Sequence, residues 1–171
     1  MNELFWAVVS LIGDPIIWSV MIIGLIIFYL ALEKKKGSVI ARKRRRLKKF
    51  LLLIVPVFLM ATLGSESLKL VFQVPRPCIP CPAEGCNVYC PVTYSFPSGH
   101  TMVMTGIVTA IYLLMRKPKY LLLYALPVMV GISRIMLGVH TETDVVAGFM
   151  LGLSITLVVW GFRKDFYRWK D

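Results

Sequence analysis

Apolar runs close to bilayer-crossing length recur along this chain, and no other feature narrows its possible folds so far. Inside hydrocarbon the backbone must satisfy its own N–H and C=O groups, and runs of roughly 17–20 apolar residues do so as helices. The expected spans cover residues 16–32, 50–64, 97–115, 120–139 and 144–162. With 57% hydrophobic and 17% charged residues, the 171-residue chain carries too little charge to surround a soluble domain. The expected fold class is all-α, a polytopic transmembrane helical bundle of five spans plus a short N-terminal interfacial helix. One domain fills the whole length.

The formal net charge of +11 would raise nucleic-acid binding in a soluble protein. Its placement argues for a different role, and no nucleic-acid partner is expected. Ten basic residues fall between Lys34 and Lys49; Arg116, Lys117 and Lys119 form a second cluster, and Arg163, Lys164, Arg168 and Lys170 a third. Short loops rich in Lys and Arg stay on the cytoplasmic side, so these clusters orient the bundle. Residues 33–49 are then a basic cytoplasmic loop, with the N-terminus outside and the C-terminus in the cytoplasm. Trp6, Trp18, Trp160 and Trp169 fall near expected span ends, where interfacial aromatics collect.

Residues 4–12 are apolar but too short to cross, and no cleavable signal peptide is expected. Asp14 is placed to cap the first span, with Pro15 in its first turn. Pro56 lies within the second span, whose helix is expected to continue to about Val74. Gly148 and Gly152 form a small-xxx-small pair in the fifth, read as close packing within the bundle rather than as a dimer face.

Only Lys69, Arg76 and Arg134 fall outside the three basic clusters. Lys69 and Arg76 are seven residues apart, about two helical turns, so both can face one phosphate. The plainer reading is two snorkelling side chains. Pro97-Ser98-Gly99-His100 opens the third span: free N–H groups at a helix start suit a phosphate, Gly99 permits close approach, Ser98 adds a donor and His100 can protonate a leaving oxygen. Taken alone it is also an ordinary helix start. Arg134 lies in the fourth span, where an ionisable group is costly and points to function. His140 and Asp144 are four apart, so the carboxylate can orient the imidazole and leave its other nitrogen free to attack phosphorus. Thr141-x-x-Asp144 also reads as a capping-box variant, compatible with that role. His100 and His140 are the only histidines in the chain, and both fall in these clusters.

The ordered set Lys-x6-Arg-Pro, Pro-Ser-Gly-His and Ser-Arg-x5-His-x3-Asp, running from Lys69 to Asp144, resembles the signature of the type 2 phosphatidic acid phosphatase superfamily. The resemblance implies a membrane lipid phosphatase working through a phosphohistidine. His140 would be the nucleophile, Asp144 its partner and His100 the general acid, with Lys69, Arg76, Ser98, Gly99 and Arg134 binding phosphate. It implies neither cofactor nor metal. Larger bacterial members commonly have six spans, one more than the five expected here.

Cys78, Cys81, Cys86 and Cys90 lie outside that signature, in an outer loop spanning residues 75–96. Their spacing resembles iron–sulfur ligation except in the second gap. Two disulfides are expected in an oxidising compartment, with zinc as the alternative, and three pairings are open. The expected substrate is a polyprenyl diphosphate of the bilayer, attacked at the extracytoplasmic face of the cell membrane. Phosphatidylglycerol phosphate, phosphatidic acid and diacylglycerol pyrophosphate are the alternatives. More distant readings are a vanadate-dependent haloperoxidase and a non-enzymatic adaptor acting through the basic loop.

Overall fold

The computed structural model describes residues 3–35, 37–78 and 90–168. Among them the chain forms α1 (Glu3–Leu11), α2 (Pro15–Glu33), α3 (Ser38–Phe72), α4 (Gly99–Met115), a 3-10 helix (Pro118–Tyr124), α5 (Ala125–Met136) and α6 (Glu142–Arg168), with no strand. Four stretches are long and apolar enough to cross a membrane: Leu4–Glu33, Ser38–Phe72, Pro118–Met136 and Glu142–Phe162; α4 is a shorter apolar helix. The architecture is thus an all-α membrane bundle.

The core lies where α3, α4 and α6 meet. Leu53, Ile54, Val57 and Ala61 of α3 pack on Met102, Val103, Ile107 and Ala110 of α4, and Leu151, Ile155 and Val159 of α6 close the third side. Every residue of α4 from Thr101 to Ala110 is buried, so this helix is surrounded on all sides. Its 17 residues span only about 25 Å, and its far end is less shielded, with Met115 48% exposed. Ile16, Val20, Ile23 and Ile27 of α2 and Leu59 and Leu63 of α3 are exposed, an apolar exterior suited to acyl chains.

The glycine pair of α6 packs inside the bundle. A Cβ on Gly148 would lie 2.5 Å from the Ser98 carbonyl oxygen, and one on Gly152 2.3 Å from that of Met102. Backbone therefore meets backbone where α6 crosses α4. Thr156 reinforces the crossing by donating to the Gly106 carbonyl at 3.1 Å.

Two expectations change. The basic segment 33–49 is mostly not a loop, because α3 begins at Ser38 and carries Arg42 through Lys49 in helix. Lys and Arg are good helix formers and nothing after Gly37, whose φ is 137°, interrupts the run. The resulting 35-residue helix is about 52 Å long, so both its basic start and Lys69 project beyond a hydrocarbon core of roughly 30 Å. At its far end α3 stops at Phe72, two residues before the expected Val74, because Gln73 turns into the left-handed region (φ 48°). Arg76 consequently leaves the helix. The short N-terminal helix, α1, is present and packs against α5.

Candidate active site

The start of α4 is built by its neighbours. Ser98, the residue before the first turn, is fully buried, and its N–H donates to the Asp144 carbonyl at 3.0 Å. Its hydroxyl shares a 3.0 Å hydrogen bond with Thr101. A side chain on Gly99 would come within 3.1 Å of Ser65 Oγ and 4.0 Å of Lys69 Nζ, so α3 brings its lysine directly over the α4 terminus. Lys69 itself is buried and paired with the more exposed Glu66 at 2.6 Å.

Arg76 reaches the same place from the loop after α3. Its Nε donates to the Thr93 carbonyl (2.7 Å), Nη2 to Thr93 Oγ1 (3.0 Å) and Nη1 to the Val139 carbonyl (2.9 Å). Nη1 also lies 3.2 Å from Nε2 of His140. A guanidinium has no lone pair to offer, so this contact requires an unprotonated Nε2. The Nδ1 proton then faces Asp144, whose Oδ2 is 3.5 Å away. That separation is ion-pair range, and Nδ1 makes no well-aligned hydrogen bond among the described residues.

Asp144 is held at the start of α6 by a reciprocal capping box. The Thr141 N–H donates to Asp144 Oδ2 at 2.8 Å, and the Asp144 N–H returns to Thr141 Oγ1 at 3.3 Å. The capping residue and the partner of the imidazole are therefore the same side chain. Burial pushes the His140 imidazole down to about 4; Asp144 opposes the shift, while the Arg76 and Arg134 charges add to it. Burial also lowers Arg76, against the pull of Asp144 and Glu66, leaving it cationic at neutral pH.

Arg134, in the last turn of α5, donates from Nη1 to Ser10 Oγ at 2.7 Å. Its buried Nε has no hydrogen-bond partner among the described residues. His100 sits beside the charges of Arg134, His140, Lys69 and Arg76, and its Nε2 is 3.7 Å from Oδ2 of Asp14. The structure thus gathers Lys69, Arg76, Ser98, Gly99, His100, Arg134, His140 and Asp144 at one end of the bundle. Among the described residues, no three or more His, Cys, Asp or Glu side chains stand together as a metal site would require.

Cys78 and Cys90 form a disulfide across the loop between Arg76 and Ser98. That bond removes both from any zinc site; Cys81 and Cys86 lie outside the described residues.

Ser10 and Asp14 escape the sequence reading as site residues. Asp14 does cap α2 as expected, accepting from the Ile16 N–H at 2.7 Å, but its second oxygen faces His100. The available signal was its isolation: it is the one acidic residue between Glu3 and Glu33.

The family model of the PAP2 superfamily matches residues 47–168, so α1 and α2 precede the matched stretch. Phosphatidylglycerophosphatase B of Bacillus subtilis is 39% identical over 89 residues, 46% of this chain and 44% of that protein. An undecaprenyl-diphosphatase of Sulfolobus acidocaldarius is 41% identical over 71 residues, 40% of this chain and 33% of that protein. The alignments thus span less than half the length of these curated relatives. Among solved structures, a transmembrane PAP2-type phosphatidylglycerolphosphate phosphatase from Bacillus subtilis superposes with a TM-score of 0.68 at 25% identity, covering 95% of this chain and 77% of that one. LpxE of Aquifex aeolicus gives a TM-score of 0.64 at 25% identity over 93% and 85% of the two chains. With its helical bundle, its gathered motif residues and a match across most of its length, the chain belongs to the PAP2 superfamily.

Proposed function

We propose that this chain is a metal-independent lipid phosphatase that works through a phosphohistidine on His140. The observation that carries the reading is convergence: three cations and both histidines of the chain, drawn from five separate segments, surround one helix N-terminus. Arg76, Lys69, the buried Nε of Arg134 and the N–H groups opening α4 would receive the phosphoryl oxygens. Phosphate oxygens would draw the Arg76 guanidinium away from His140 Nε2 and release its lone pair. Nε2 then attacks phosphorus, the bond to the leaving oxygen breaks, and His100 gives that oxygen its proton. In the second half, water attacks phosphorus, the phosphorus–nitrogen bond breaks with its electron pair returning to Nε2, and His100 takes up the water's proton. Inorganic phosphate departs and His140 is again neutral. Asp144 stabilises the positive imidazole while the phosphoryl group is attached.

The preferred substrate is a polyprenyl diphosphate on the extracytoplasmic face. A glycerol-based phosphate is the second reading, favoured by the names of the Bacillus subtilis relative and of the superposed structure. Assay of purified protein with polyprenyl diphosphate, phosphatidylglycerol phosphate and phosphatidic acid separates them, and a glycerol-phosphate preference would overturn the first. His140→Ala is expected to abolish hydrolysis of all three while unfolding at the wild-type temperature. Appreciable remaining turnover sinks the phosphohistidine mechanism.

A further inference from the structure

The segment before the family match contributes to the site. Trp18 Nε1 donates to the Ile12 carbonyl at 2.7 Å and closes the turn between α1 and α2. A Cβ on Gly13 would fall 2.6 Å from Val130 Cγ1 and 3.1 Å from the His100 carbonyl, so this turn is pressed against both α5 and the first turn of α4. On either side of Gly13, Ser10 binds Arg134 and Asp14 faces His100. The Asp14 and His100 side chains are 23% and 21% exposed, buried enough to interact strongly yet still open toward substrate.

Resting on the phosphatase reading, we infer that Asp14 is a positioning residue that holds His100 as the charged proton donor. The need for one follows from the surroundings. Lys69 from α3, Arg76 from the following loop, Arg134 from α5 and His140 from the loop before α6 stand around His100, and a positive ring set among cations calls for a carboxylate beside it. Glu66 is already committed to Lys69, and Asp144 lies against His140. Asp14 is the carboxylate placed within ion-pair distance of His100. With Nε2–H held toward Asp14, the Nδ1 proton is the one passed to the leaving oxygen. His100 is left neutral until the attacking water returns a proton. The site then contains two Asp–imidazole pairs, one supporting phosphoryl uptake and one keeping the proton donor charged.

The test uses Asp14→Asn and Asp14→Ser, both of which keep an oxygen to cap α2 while removing the charge. Two substrates are compared: an alkyl lipid phosphate, whose alkoxide needs a proton to leave, and a nitrophenyl phosphate, whose phenolate does not. Both variants should lower kcat on the lipid phosphate about tenfold, equivalent to one pH unit of proton affinity, with KM little changed. The alkaline limb of the pH–rate profile should move to lower pH, and nitrophenyl phosphate turnover should stay within about twofold of wild type. Equal loss on both substrates, or no loss on either while His140→Ala remains dead, overturns the role of Asp14 and leaves the phosphatase reading standing. A wild-type protein that hydrolyses neither substrate overturns both.

Discussion

At the residue scale the most informative atom is Nε2 of His140, held 3.2 Å from a guanidinium and therefore deprotonated. Burial keeps the ring neutral down to about pH 4, so the proposed nucleophile is unprotonated across the neutral range. The acidic limb of kcat/KM should accordingly fall below pH 5, well under the ordinary histidine value of about 6.5. An acidic limb near pH 6.5 would show a more hydrated ring than the structure contains. Asp144→Asn keeps a carbonyl oxygen to cap Thr141 but removes the charge facing Nδ1. It should therefore spare the fold and cut kcat by roughly 10²–10⁴-fold, as loss of acid–base support does elsewhere. A variant that loses stability and activity in parallel would mean that capping is the only role of Asp144.

Among the elements, the crossing of α4 and α6 separates stability from chemistry. Gly148 lies against the Ser98 carbonyl, at the end that gathers the motif residues, whereas Gly152 lies one helical turn further along against Met102. Adding a methyl group at either site forces two backbones apart, at a cost of about 1–3 kcal/mol. Gly148→Ala should also depress activity at temperatures where it remains folded, because it displaces the turn that carries Gly99 and His100. Gly152→Ala should lower the unfolding temperature with activity nearly intact below it. Thermal unfolding in detergent alongside lipid phosphatase assays distinguishes the two, and matched activity losses would contradict the division. Much of this arrangement was legible beforehand. A charged residue inside an apolar span advertises itself by its cost, which made Arg134 readable, and the four-residue spacing of His140 and Asp144 did the same for that pair. Helix extent was less so: the start of α3 is composed of good helix formers that a charge-based reading takes for a loop. Ser10 and Asp14 were hidden for another reason, since only tertiary packing turns the α1–α2 bend toward the α4 terminus.

For the whole molecule, the alternation of helices sorts charge by end. Asp14, Lys69, Arg76, His100, Arg134 and His140 occupy one end, while Glu33, the basic start of α3 and Arg116 lie at the opposite ends of the same helices. Short basic connections resist translocation, so the end that gathers the motif residues should face away from the cytoplasm. The Cys78–Cys90 disulfide at that end agrees, because such bonds persist in oxidising compartments. Val92 is 98% exposed on the loop that returns toward α4, and Lys117 lies between α4 and the 3-10 helix at the other end. In intact cells, a membrane-impermeant maleimide should label Val92→Cys above the wild-type background and leave Lys117→Cys unmodified. Lys117→Cys should react only after permeabilisation. The reverse pattern would place the phosphate site in the cytoplasm and remove the argument for a polyprenyl diphosphate at the extracytoplasmic face as substrate.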